Sequence, residues 1–294
     1  MRQILPSISL ISVSNNLTTD SPAPILKRTY QRGNSIFAIT IYPKWFKQSM
    51  TVILVLIALI VGSFLSTVAI RLPLGRPITL GRSECDRCGH KLGLIELIPF
   101  LSWCFLRGRC LHCGAPIAAA HPLAELGALA VAGWATAAFQ GPALVATCIL
   151  GWLLLALALV DWRAHLLPDA LTGPLLIAGF LVTWLTAPDA LVDHAIAAIV
   201  GFAVFVIISV LYKKLRGREG LGFGDAKLLA AIGAWVSWQG LPTVVLLGAA
   251  SGLCFALLQS LAGKKLELAT RLPFGCFLAL GGWLVWLYGP LVTG

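Results

Sequence analysis

From residue 50 onward, eight apolar runs of roughly membrane-crossing length follow one another along the chain. They cover about 50–70, 122–139, 143–160, 171–187, 195–212, 226–238, 242–261 and 274–290, the sixth being short. A helical crossing takes about 20 apolar residues to span roughly 30 Å of hydrocarbon. Inside hydrocarbon every backbone N–H and C=O has to be paired within the protein, which leaves helices as the solution for single apolar runs. Only 12% of residues are charged and 58% are hydrophobic, whereas a soluble domain is about a quarter charged. The chain therefore reads as an all-α polytopic membrane protein with about eight transmembrane helices.

The loops between the runs alternate in charge. The first (71–121) holds Arg71, Arg76, Arg82, Arg87, Lys91, Arg107 and Arg109. The third holds Arg163; the fifth holds Lys213, Lys214, Arg216 and Arg218; the seventh holds Lys264, Lys265 and Arg271. The loops of opposite parity and the C-terminal tail carry no Lys or Arg. By the positive-inside rule the basic loops face the cytoplasm. The formal net charge of +10 is then a matter of topology, and nucleic-acid binding is not expected. Residues 1–49 are polar and poorly patterned, with six Lys or Arg, and little order is expected there. They read either as an N-terminal extension or as a mis-called start, Met50 being the only methionine besides Met1. Four parts follow: 1–49, a first transmembrane helix over 50–71, a cytoplasmic loop over 72–121, and a membrane core over 122–294.

Four of the eight cysteines stand in two tight pairs within that loop: Cys85 and Cys88 in CDRCGH, Cys110 and Cys113 in CLHCGA. Twenty-one residues separate the pairs. Two C-x-x-C turns, each followed by glycine, bring four thiolates onto one tetrahedral ion, and structural zinc suits that set. Such a loop has little core of its own, so metal would supply much of its folding energy. His90 and His112 are read as surface loop residues, since four thiolates already close the site.

Aspartates form the second constellation. Asp161 ends the third run in LLLALALVDWRAHLLPD, Asp169 follows in the same loop, and Asp225 opens the sixth run in GFGDAK. Loop parity puts all three at the cytoplasmic face. A carboxylate at the membrane edge is costly without a partner or water, and so is a functional candidate. Two carboxylates sharing a proton activate water against a peptide bond. The competing reading is helix capping, by Asp169 after Pro168 and by Asp225. Gly222 and Gly224 allow close backbone approach.

With these residues in view, the chain resembles bacterial prepilin peptidases, the type IV leader peptidases of the aspartic intramembrane class. The matching stretches are GSFLSTVAIRLPLG (62–75), SECDRCGHKLGLIELIPFLSWCFLRGRCLHCGAPI (83–117), HPLAEL (121–126), VDWRAHLLPD (160–169) and GFGDAKLLAAIGAW (222–235). The resemblance implies a membrane endopeptidase acting on type IV prepilins or type II secretion pseudopilins at the cytoplasmic face of the bacterial inner membrane. It also implies methylation of the new N-terminus from S-adenosylmethionine. It carries the catalytic pair onto Asp161 and Asp225, gives Asp169 a supporting part, and carries the cysteine loop onto Cys85, Cys88, Cys110 and Cys113.

Ser66 stands where the family pattern has asparagine, and Ala-His-Pro at 120–122 where it has Arg-Tyr-Pro. No glycine-rich dinucleotide fingerprint marks a site for S-adenosylmethionine; the loop, Glu96 and Glu125 are where one would look. Two alternatives are a general G-x-G-D intramembrane protease, which the cysteine loop argues against, and a transporter or scaffold with a zinc-binding docking loop. The second would show mid-span charge pairs or paired broken helices, and the sequence has no convincing case of either.

Overall fold

Helices account for most of the chain. The computed structural model describes residues 26–32, 35–41, 44–78, 84–85, 87–93, 96, 100–217, 222–263 and 272–291. Arg82, Arg218, Lys264, Lys265 and Arg271 of the basic loops lie outside the described residues. In chain order come strands β1 (Leu26–Arg32) and β2 (Ser35–Ile41), then helices α1 (Lys44–Arg71), α2 (Leu101–Phe105), α3 (Ala120–Ala138) and α4 (Pro142–Ala164). After these come α5 (Asp169–Thr186), α6 (Leu191–Arg216), α7 (Phe223–Leu261) and α8 (Phe274–Tyr288).

The chain divides into two units, Met1–Leu56 and Ile57–Gly294. The first holds an antiparallel hairpin in which Arg32 pairs with Ser35 and Leu26 with Ile41. Its second strand, SIFAITI, is rich in β-branched residues and follows Gly33-Asn34, a dipeptide suited to two-residue hairpin turns. Helix α1 also begins at Lys44, six residues ahead of the expected first span.

The second unit is the membrane bundle. Met50–Leu74, Pro142–Ala164, Asp169–Thr186, Pro188–Arg216 and Phe223–Leu261 are long and apolar enough to cross a bilayer. Helix α8 is shorter, at 15 residues. Helix α3 begins in a polar turn with His121 and includes Glu125.

Helix α7 merges the expected sixth and seventh spans. As one rod its 39 residues would be about 58 Å long, nearly twice the hydrocarbon thickness. It is not one rod. Ser237 has φ 63° and ψ 174°, outside the helical region, and Pro242 follows. Contacts with α8 show that the chain reverses there. Past the break, Val244, Gly248 and Gly252 lie against Gly281, Leu278 and Phe277 in turn, an antiparallel order. Before it, Ile232 lies against Gly282, and Gly224 and Gly275 both touch Leu167, a parallel order. The two halves of α7 thus run in opposite directions, with α8 packed on both.

Small residues set these distances. A Cβ on Gly281 would sit 2.5 Å from the Val244 carbonyl oxygen, a contact with backbone that no rotamer can relieve. By contrast, a Cβ on Gly133 of α3 meets nothing within 4 Å. Gly281→Ala is therefore expected to destabilise the purified protein by about 1–3 kcal/mol, and Gly133→Ala to be neutral or slightly stabilising. Thermal unfolding in detergent checks this; equal melting of the two variants would rule out the close α7–α8 approach.

Candidate active site and metal-binding loop

Asp161 lies one turn before the end of α4, and Asp225 is the third residue of α7. Both are buried, at 5% and 9% exposure. The local sequence explains each position. The helix of α4 stops at His165, which adopts a left-handed conformation and donates its backbone N–H to the Asp161 carbonyl. Pro168, in extended conformation, then starts α5 at Asp169. Helix α7 starts after Gly222, whose backbone N–H donates to Asp225 Oδ2 at 3.1 Å. The capping reading for Asp225 is thus correct in geometry, and the residue is buried as well. Asp169 forms no capping hydrogen bond.

The structure brings Asp161 and Asp225 to the same end of the bundle. Leu167, in the α4–α5 connection, fills the space beside Gly224 on one side and Gly275 on the other. A Cβ on Gly275 would also come within 2.8 Å of Asp161 Oδ2. Leu167 and Gly275 thus lie at the junction of the segments that carry the two aspartates. Asp169 instead accepts a hydrogen bond from Lys227 Nζ at 2.6 Å. That ion pair ties the start of α5 to the first turn of α7, so the two segments carrying the buried aspartates are fastened together.

Sequence reasoning missed one contributor, the start of α8. Cys276 donates its backbone N–H to Asp161 Oδ2 at 3.1 Å, and its thiol donates to the Ala158 carbonyl. The N-terminus of α8 thus points the Cys276 N–H, shared with the Pro273 carbonyl, at a carboxylate, an arrangement that favours negative charge. Pro273 before an apolar run was the available signal: proline suits a helix start.

The four loop cysteines also meet. Their sulfurs all lie within 4.8 Å of one another, and Cys85 Sγ is 3.8 Å from Cys113 Sγ. Four thiolates held at about 2.3 Å around one ion would be about 3.8 Å apart. The two pairs fold alike. Gly89 and Gly114, at φ 68° and 65°, donate to the carbonyls of Cys85 and Cys110. Cys85 N–H donates to the His90 carbonyl and Cys110 N–H to the Ala115 carbonyl. The donor set therefore fits a metal ion. His90 and His112 stack ring on ring at 3.4 Å, and Glu96 accepts the Gly93 N–H.

The two departures at Ser66 and His121 turn out to be partners. Ser66 Oγ donates to the Ser63 carbonyl and lies 2.8 Å from His121 Nδ1. Beside them Glu125, buried at 6% exposure, accepts the Phe100 N–H at 2.6 Å.

Two family models match the chain: the bacterial peptidase A24 N-terminal domain over residues 56–139, and the type IV leader peptidase family over residues 148–257. The chain is similar to proteins named prepilin leader peptidase/N-methyltransferase. That of Burkholderia pseudomallei (strain 1026b) is 40% identical over 80% of this chain and 84% of its own length. That of Aeromonas hydrophila is 39% identical over 81% and 90%, and that of Pseudomonas putida 36% identical over 84% and 92%. No solved structure matches.

Purified protein is expected to carry about one tightly bound metal ion per chain, lost in Cys88→Ser and in Cys113→Ser. Elemental analysis by mass spectrometry reads this directly. Full metal content in both variants would rule out the four-thiolate site.

Proposed function

Since the chain belongs to the type IV leader peptidase family, we propose that it is a membrane aspartyl endopeptidase that removes the basic leader of type IV prepilins and pseudopilins and then methylates the new N-terminus. The observation that carries the peptidase step is the burial of Asp161 and Asp225 at one end of the bundle, each with a backbone N–H on one oxygen. Two carboxylates buried at the same end of the bundle would hold one proton between them, since burial disfavours a double charge.

The ionised carboxylate takes a proton from a water molecule as its oxygen attacks the scissile carbonyl carbon. The protonated one donates a hydrogen bond to the carbonyl oxygen. The tetrahedral intermediate then collapses, the C–N bond breaks, and the departing nitrogen takes up a proton from the pair. No covalent link to the enzyme forms. Gly224, without a side chain, lets Leu167 pack directly against the turn that carries Asp225. Lys227 and Asp169 are positioning residues, since they act by fastening the helices that bear the pair.

The protein would sit in the bacterial inner membrane, with its Lys- and Arg-rich loops, its cysteine loop and the aspartate pair on the cytoplasmic side. The four thiolates suit zinc in a closed structural site, where it would hold the loop folded without entering the chemistry. For the second step S-adenosylmethionine supplies an electrophilic methyl group, which the new terminal amine accepts with loss of a proton.

Co-expression with a prepilin tests the peptidase, read by mass spectrometry of the pilin N-terminus. Asp161→Asn and Asp225→Asn are each expected to abolish cleavage, and near-normal trimming by either variant would refute the pair. Lys227→Met is expected to slow cleavage by less than about tenfold, because a solvent-exposed ion pair contributes only about 0–1 kcal/mol. A loss as complete as that of the aspartate variants would give Lys227 a part in the chemistry.

A further inference from the structure

The turns that gather the four sulfurs gather a second set of donors. His90 stands two residues past Cys88, and His112 lies between Cys110 and Cys113. Each belongs to a short turn closed by an antiparallel bridge, Glu84 to Lys91 in the first and Arg109 to Pro116 in the second. Across the two turns the imidazoles stack, 3.4 Å between ring centres. Glu96, from the segment after the first turn, joins them. One donor atom from each of His90, His112 and Glu96 lies within 4.8 Å of the other two.

Stacking accounts for the two rings but not for the carboxylate. Among the described residues, His121 and His194 form ring hydrogen bonds, whereas His90 and His112 form none. Their ring nitrogens are thus open to an ion. Glu96 is held by the Gly93 N–H, which donates to Oε2 at 2.8 Å, and its other oxygen is left for a ligand bond. Imidazole nitrogen and carboxylate oxygen together suit zinc and its transition-metal neighbours. Three such donors around one tetrahedral ion stand about 3.3 Å apart, which small side-chain rotations reach from this arrangement. They leave one coordination position for water, unlike the closed set of four thiolates. His90 and Glu96 are half-buried and His112 is exposed, so an ion here meets solvent and exchanges with it.

We propose that His90, His112 and Glu96 form a second metal site in the cysteine loop, which takes one exchangeable divalent transition-metal ion through three protein ligands. The ion clamps the two cysteine turns to each other and to the chain at Glu96. Glu96 also lines a cavity of about 230 Å³ whose walls include Ser63 of α1 and Glu125 of α3, and no residue of α4 to α8. Filling the metal site therefore fixes part of that cavity's wall. The inference depends on neither the peptidase nor the methylation reading.

The test uses the full-length protein in detergent, with zinc already held by the four cysteines, and Zn²⁺ or Co²⁺ alone as the probe. Titration with Zn²⁺ is expected to saturate at about two ions per chain, the second removed by a weak chelator that leaves the first. His112→Asn and Glu96→Gln are each expected to weaken the second ion about tenfold or more, since even losing a group behind a ligand costs that much. Both should keep the first ion and the wild-type melting temperature. Added Co²⁺ is expected to join the zinc and to absorb without the charge-transfer bands of a sulfur-bound ion. Saturation at one ion per chain would overturn the proposal. So would a second ion that both variants retain at wild-type affinity, which would be an adventitious ion only. Sulfur charge-transfer bands with the zinc still in place would put the second ion on thiolate and also overturn it. The cobalt spectrum needs no substitution, so it decides the case even where a variant unfolds the loop.

Discussion

Three carboxylates are buried among the described residues, and each accepts a hydrogen bond from a backbone N–H: Glu125 from Phe100, Asp161 from Cys276, Asp225 from Gly222. In hydrocarbon an unpaired polar group costs several kcal/mol. Helix ends are the natural source of donors there, because their first N–H groups have no partner within the helix. The functional geometry therefore lies where helices start. Asp161 needs the start of α8, Asp225 needs the start of its own helix, and Glu125 needs the chain entering α2. The same rule holds more widely: among the described residues, every buried side-chain nitrogen and oxygen has a partner.

This dependence explains how the bundle is built around the pair. The start of α8 reaches Asp161 because α7 reverses at Ser237 and α8 packs on both halves. Glycines at 248, 281 and 282 let α7 and α8 approach until side chains and backbone touch, and Gly233 does the same for α7 and α6. Leu167 then separates the ends of α7 and α8 while touching both. The Asp169–Lys227 pair lies at the exposed edge of the same junction and adds alignment more than stability.

The cysteine loop solves a different problem. It has few residues to bury, and its two C-x-x-C-G turns repeat one backbone pattern so that four sulfurs converge. A metal ion there would do for the loop what apolar packing does for the helices. The loop also roofs a cavity whose floor is α3, so the folding of the loop and the shape of that cavity are linked. His121 and Ser66 join α3 to α1 on the same floor.

Much of this was visible in the residues themselves. The apolar runs, the alternating basic loops, the paired cysteines and the D…LPD and G-x-G-D stretches are local or periodic signals. They follow from the thickness of hydrocarbon, from the charge rule and from the reach of a metal ion. Tertiary structure alone decided that Cys276 serves Asp161, that Lys227 holds Asp169, that Ser66 meets His121, and that Glu125 lines a cavity away from the aspartates. These are contacts between residues 55 to 115 positions apart, set by which helix faces pack together. No periodicity within a single run encodes that choice.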